Sequence, residues 1–309
     1  MVVEIKFNRK KGGPFRAGYV AVVGAPNAGK STLVNRLVDF RLSIVSHRPQ
    51  TTRHTIRGVI SGDDYQAVFL DTPGLMRKAM DLLEKRMVHR VGLAIDDADL
   101  VLFIAEPRTP GPIEQQLLAE IVARRRPAVM ALNKSDTVDA ATVAKLLNVY
   151  RQLHPFLAVT AVSALNGDGV DTLMRSVVER LPEGEPVFDD DDVTDRTERF
   201  LAGEMVREAV FATYEREVPY QTAVVVDAFR EADPEHGGKD YISVILYVDR
   251  DSQKSILIGR EGQALRQVGT QARLAIEETL GRPVHLELWV KTKRHWRKDV
   301  AFLKELEYY

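Results

Sequence analysis

The chain has 309 residues, enough for two domains with cores of their own, and its 43 Lys and Arg against 44 Asp and Glu leave a net charge of −1. No global field therefore draws it to nucleic acid or membrane, and any such attraction must come from local patches. The lack of cysteine excludes disulfides, thiolate catalysis and Cys-based zinc sites, and no run of about 18 apolar residues is present to span a bilayer.

Residues 1–15 read as an N-terminal extension. It is basic (Lys6, Arg9, Lys10, Lys11) and has no apolar signal core, so a soluble, cytoplasmic protein is expected. Tyr19 to Val23 then forms an apolar strand, and Thr32 to Leu37 opens a helix. Between them stands Gly24-Ala25-Pro26-Asn27-Ala28-Gly29-Lys30-Ser31, a phosphate-cradling P-loop. Glycines let successive N–H groups point at one phosphate, Lys30 can reach β- and γ-phosphate oxygens, and the Ser31 hydroxyl can ligate Mg²⁺. Thr32 continues the site into the helix N-terminus, which favours anions.

Next in order is Gln50-Thr51-Thr52-Arg53-His54, which offers a threonine hydroxyl to the Mg²⁺ shell; Thr52 is preferred over Thr51. Ala67 to Leu70 is a second apolar strand, ending in Asp71-Thr72-Pro73-Gly74. Asp71 suits a carboxylate that holds Mg²⁺ through water, and the Gly74 N–H suits the γ-phosphate. Alone, Asp-x-x-Gly is also an ordinary turn; its place after a buried strand gives it meaning. Leu75 follows, where a water-orienting glutamine could stand.

A strand over 127–132 leads into Asn133-Lys134-Ser135-Asp136. The Asp136 carboxylate can accept both guanine N1–H and the exocyclic amine, a donor pair adenine lacks, and the Lys134 stem can lie over the base. A strand over 157–162 ends in Ser163-Ala164-Leu165, where a backbone N–H could meet the guanine carbonyl. Strands and helical patterns alternate through residues 16–181, which predicts an α/β doubly wound sheet with helices on both faces and ligands at the strand C-terminal ends.

Composition then changes. Residues 182–198, with Pro182-Glu183-Gly184-Glu185-Pro186 and Asp189 to Asp192, read as a linker whose aspartates are a solvated spacer rather than a metal site. The second domain is expected over 199–309. An amphipathic helix spans Arg199 to Glu217, strands follow at Thr222–Phe229 and Tyr241–Val248, and Asp233 to Lys239 turns between them. Ile258-Gly259-Arg260-Glu261-Gly262-Gln263 joins two helices, the second running to Leu280; a strand over 284–290 and a short helix close the chain.

Two glycines at such a junction let a sugar-phosphate backbone approach free helix N–H groups, beside a groove able to hold unstacked bases. Glu261 weakens the electrostatics of this contact; Arg260 supports it. Lys291, Lys293, Arg294, Arg297 and Lys298, with His295 and Trp296 among them, suit phosphate contact and base stacking.

The first half resembles TRAFAC-class GTPases and the second an α+β type II KH domain. Together, with Gln50–His54, Val193-Thr194-Asp195-Arg196 and Pro283–Lys291, nearly the whole chain resembles the bacterial Era GTPases. The departures at Ala25 and Ala28, where the family often has Arg and Val, remove no group that the phosphates need. The resemblance implies GTP and GDP as ligands, Mg²⁺ as cofactor, and binding of the small-subunit (16S) rRNA 3′ end. It also implies a part in 30S assembly, a monomer, and peripheral attachment to the cell membrane. In related GTPases the P-loop asparagine, here Asn27, helps hold K⁺; this offers a catalytic route beside Lys30, Thr52 and Gly74. Two other readings stand beside it: a GTPase of tRNA modification, whose relatives end in a cysteine motif absent here, and an RNA-binding module with a structural nucleotide site.

Overall fold

The computed structural model describes residues 14–46, 48–75, 79–233 and 238–308; the basic N-terminal extension and the centre of the 233–239 turn lie outside them. The chain forms two compact units.

In the first unit, β1 (Arg16–Gly24) is followed by α1 (Lys30–Val38), β2 (Ile56–Gly62) and β3 (Tyr65–Asp71). Then come α2 (Leu82–Asp97), β4 (Leu100–Ala105), α3 (Pro112–Ala123), β5 (Ala128–Leu132), α4 (Ala140–Leu153), β6 (Ala158–Ala161) and α5 (Val170–Val178). The sheet order is β2-β3-β1-β4-β5-β6. All neighbours are parallel except the β2–β3 pair. β3 and β4 are buried along their whole length, as strands covered on both faces must be. Side chains alternate between two cores: Val20, Val22, Phe69 and Leu102 face one, Ala21, Val23, Val68 and Phe103 the other.

The antiparallel edge β2 carries no strand signal in the sequence, because Gly58, Ser61 and Gly62 interrupt its apolar pattern. Leu42 and Val38 explain Gly58: a Cβ there would lie 2.9 Å from each side chain.

The Pro- and Asp-rich segment does not hang free. The first unit runs on to Asp195, past Leu181. The Ala17 N–H donates to Pro182 O, the Gly184 N–H to Phe15 O and the Val59 N–H to Val193 O. Gln66 on β3 is fully buried and holds the segment with its whole amide. Its Nε2 donates to Phe188 O at 2.9 Å and its Oε1 accepts from the N–H groups of Val187 and Phe188 at 2.7 and 2.9 Å. Asp189 to Asp192 sit on this strap and are exposed, as a solvated run should be.

The second unit comprises 196–309 together with 44–51 and 81–83. Its described elements are α6 (Glu198–Thr213), β7 (Ala223–Arg230), β8 (Asp240–Val248), α7 (Asp251–Ile258), α8 (Gln263–Leu280), β9 (Val284–Thr292) and α9 (Val300–Glu305). β8 is central, antiparallel to β7 and parallel to β9. α6 differs from the amphipathic helix expected over 199–217. It stops at Thr213, where Tyr214 turns extended and sends its hydroxyl to Leu257 O at 2.5 Å. It is also buried on nearly all sides, Glu204 and Arg207 included; their 2.5 Å ion pair makes that burial tolerable.

Candidate nucleotide and nucleic-acid sites

β1 ends at Gly24 and α1 begins at Lys30, so the P-loop spans the gap at the C-terminal edge of the sheet. Gly29 has φ +89°, and Asn27 is also left-handed at φ 65°. A Cβ on Gly29 would lie 2.2 Å from Asn133 Nδ2, so this glycine is required twice over. The Lys30 ammonium folds back, donating to Gly24 O at 3.2 Å and Ala25 O at 3.0 Å. Burial pushes its pKa down to about 8, with Asp71 and Glu106 pulling the other way. A lysine held this way is a cation waiting for an anion.

Beside it lies a knot of oxygen atoms. Ser31 Oγ donates to Asp71 Oδ2 at 2.8 Å and lies 2.9 Å from Thr52 Oγ1. Asp71 is fully buried, and its Oδ1 has no hydrogen-bond partner. Burial pushes its carboxyl pKa up, offset first by the nearby Ser43 hydroxyl, then by hydrogen bonding to Ser31 and by the Lys30 charge. A buried orphan carboxylate oxygen with two hydroxyls is a donor set for a hard cation such as Mg²⁺. Of the two candidate threonines, Thr52 brings its hydroxyl to this cluster.

Thr72 anchors the next loop through Oγ1 to Val22 O at 2.7 Å. Gly74 packs against the P-loop so closely that a Cβ would sit 2.9 Å from Pro26 Cα. Leu75 is 3% exposed and belongs to the apolar core, so it orients no water.

At the far end of the sheet, Asn133 joins three segments. Its Nδ2 donates to Ala28 O at 2.8 Å and its Oδ1 accepts the Ala164 N–H at 2.9 Å. Lys134 is left-handed at φ 59° and starts a short turn, Ser135–Thr137, that presents the exposed Asp136 carboxylate. The Ser163 N–H is held by Asp168 O. With the Ala164 N–H on Asn133, a guanine carbonyl would share that N–H or turn to Leu165. A cleft of about 440 Å³ lies between the end of α1 and this loop, lined by Thr32, Phe40, Arg41, Ala164 and Leu165 among others. Phe40 and Arg41 follow the helix in a stretch with no periodicity or motif, so the sequence does not mark them.

In the second unit, Gly259 (φ 72°) ends α7 and Gly262 (φ 76°) precedes α8, with a single turn between. A Cβ on Gly259 would come within 2.6 Å of the Ala264 Cβ, whereas Gly262 faces open space, free for a close backbone approach. Arg260, Glu261 and Gln263 are exposed and Ile258 is half-buried.

The basic cluster divides. Lys291, Arg294 and Lys298 are exposed. Lys293 pairs with Asp299 at 3.2 Å, and Arg297 donates to Tyr220 O at 2.7 Å with its side chain only 12% exposed. Trp296 corrects the expectation of base stacking. It is fully buried, its indole donates to Gln221 O at 2.8 Å, and it meets Phe302 edge-on. An exposed aromatic stands on β9 instead: Trp289, at 59%.

Among the described residues no helix is long and apolar enough to cross a membrane. The chain matches the family model described as 50S ribosome-binding GTPase over residues 19–134 and that of the KH domain over 217–297. It is 43% identical to the GTPase Era of Geobacter metallireducens over 96% of this chain and 98% of that protein. It is 42% identical to that of Geotalea daltonii over 95% and 98%. Two solved structures superpose with a TM-score of 0.91 at 36% identity, covering 95% of this chain and 99% of theirs. One is a point variant of Aquifex aeolicus Era bound to GDP·AlF4⁻. The other is Era with MgGDPNP and nucleotides 1506–1542 of 16S ribosomal RNA.

Proposed function

The chain belongs to the Era family of GTPases, and on that premise we propose that it is a switch that binds the 3′ end of 16S rRNA and assists maturation of the 30S subunit. The observation that carries the nucleotide half is the convergence of Lys30, Ser31, Thr52 and Asp71, with Asn133 tying the P-loop to the base-reading loop.

The P-loop N–H groups and Lys30 bind the phosphates. Ser31, Thr52 and Asp71 would hold Mg²⁺, which would neutralise charge on the phosphate oxygens. Asp136 reads guanine. The Gly74 N–H and Thr52 respond to the γ-phosphate, so its loss releases both loops. With Leu75 unable to orient water, intrinsic hydrolysis is slow. Asn27 with K⁺, or a bound RNA, would supply the missing stabilisation.

The Gly259–Gly262 loop grips single-stranded RNA, with Arg260, Lys291 and Arg294 as phosphate contacts. Support comes from the relative solved with 16S rRNA and from the open face at Gly262. The protein acts as a monomer in the cytoplasm, and any peripheral membrane contact falls to the basic N-terminal extension. Crosslinking to total RNA followed by sequencing tests the target: enrichment of the 16S 3′ end is expected, and enrichment of tRNA would overturn the reading. GTP turnover with and without that RNA separates a switch from a structural nucleotide holder.

A further inference from the structure

A line of charged side chains runs from the base-reading loop to the N-terminus of α3, and beyond Lys134 none of its members belongs to a nucleotide motif. Lys134 Nζ donates to Glu106 Oε1 at 2.5 Å. The other oxygen, Glu106 Oε2, lies 3.3 Å from Arg108 Nε, and Arg108 Nη2 reaches Glu114 Oε1 at 2.6 Å. Glu114 is 1% exposed and closes the line by accepting the Gly111 N–H at 3.0 Å.

Glu106 directly follows β4, next to the strand that carries the P-loop, and its charge also acts on Lys30. It therefore pairs with one lysine of the nucleotide site and acts through its charge on the other. Such a partner limits where Lys134 can lie. Its backbone is left-handed, and its four-carbon stem has many rotamers to lose before it can lie in one place.

We propose that Glu106 is a positioning residue for guanine-nucleotide binding. By holding the Lys134 ammonium toward the end of β4, it keeps the lysine stem stretched along the face on which the purine ring lands. Arg108 and buried Glu114 fix the Glu106 carboxylate in turn. The inference rests on the reading of Asn133 to Asp136 as the base site. It goes beyond that reading because the stem contacts a ring face, not a hydrogen-bonding edge. Glu106 therefore sets how long any such purine nucleotide stays bound, and Asp136 sets which one binds.

The test follows release of fluorescent GDP from the full chain. Glu106→Gln should speed release by about fivefold, the scale of a partly exposed ion pair. It should do so equally for GDP, GTP and IDP, with the GTP-to-XTP preference unchanged. The effect should shrink in high salt, where such a pair is screened. In a Lys134→Ala background Glu106→Gln should add nothing. Undiminished acceleration in that background, or no acceleration in the parent, would overturn the proposal. A thermal midpoint measured on each variant guards against general loosening: a Glu106→Gln protein that releases faster only because it melts earlier also overturns it. Asp136→Asn serves as the control for the underlying reading. If it leaves guanine selectivity intact, the base site itself is misassigned. If it shifts selectivity while Glu106→Gln changes nothing, only the role given to Glu106 fails.

Discussion

Asn133 Nδ2 donates to the carbonyl of Ala28 at 2.8 Å, so the loop expected to read the base and the loop expected to cradle the phosphates share a hydrogen bond. Both groups are buried, and removing the amide would leave the Ala28 carbonyl unpaired. Asn133 thus acts as a strut, and the proposed base choice falls to Asp136, three residues on and exposed.

Asp136→Asn should weaken GTP by about 10–100-fold, as expected for losing a charge-assisted hydrogen bond, and should improve XTP. Competition binding of the two nucleotides reads this directly. Unchanged GTP selectivity would remove Asp136 from the base site.

Hydrolysis should be faster in KCl than in NaCl at equal ionic strength, and Asn27→Ala should erase the difference. The motive is Leu75, buried in the core where a water-orienting side chain could stand. Equal rates in the two salts would leave the GTPase without a role for K⁺.

Lys30 should titrate near 8 without nucleotide, because burial against Gly24 and Ala25 disfavours its charge. Between that value and 10.5 the unfolded chain binds the proton and the folded one does not. Stability of the nucleotide-free protein therefore rises with pH across this window. Bound phosphate should move the titration upward. An NMR titration of the lysine ε-carbon checks both; an ordinary value without nucleotide would mean that the ammonium is hydrated.

Arg260→Asp with Glu261→Asp places negative charge against the expected phosphate path on an exposed turn. Affinity for an oligonucleotide of the 16S rRNA 3′ end should fall sharply, with GTP affinity nearly unchanged. Lys291→Ala with Arg294→Ala should instead weaken all RNAs alike and flatten the salt dependence. If the double-aspartate variant binds as well as the parent, the Gly259–Gly262 loop is not the RNA site.

The two tryptophans should separate packing from recognition. Trp296→Ala should cost about 3–5 kcal/mol of stability, as for an aromatic removed from a core. Trp296→Phe should keep RNA binding and any RNA-induced change in fluorescence, whereas Trp289→Phe should lose that change. Loss of the change in Trp296→Phe alone would return base stacking to Trp296.

The sequence by itself determined the parts whose chemistry is local. Gly29, Lys30 and Ser31 must follow a strand and open a helix, and Gly259 and Gly262 need backbone that other residues resist. Their order along the chain was enough to indicate a nucleotide domain followed by a KH-like unit. Only the tertiary structure decided which side chains are available. Trp296 and Lys291 belong to one basic, aromatic stretch, yet one is core and the other surface, because burial depends on what packs there, for Trp296 the α9 residue Phe302 and the Gln221 backbone. The strap over 182–195 reads as a spacer until Gln66, distant in sequence, supplies the amide that docks it. Sequence favours Thr52 over Thr51 only by its place before Arg53; it is the fold that brings the Thr52 hydroxyl to Ser31, which in turn bonds Asp71. Glu106 has no motif at all, since its partner Lys134 follows the adjacent parallel strand, 28 residues on, and long-range pairing of that kind leaves no period in the sequence.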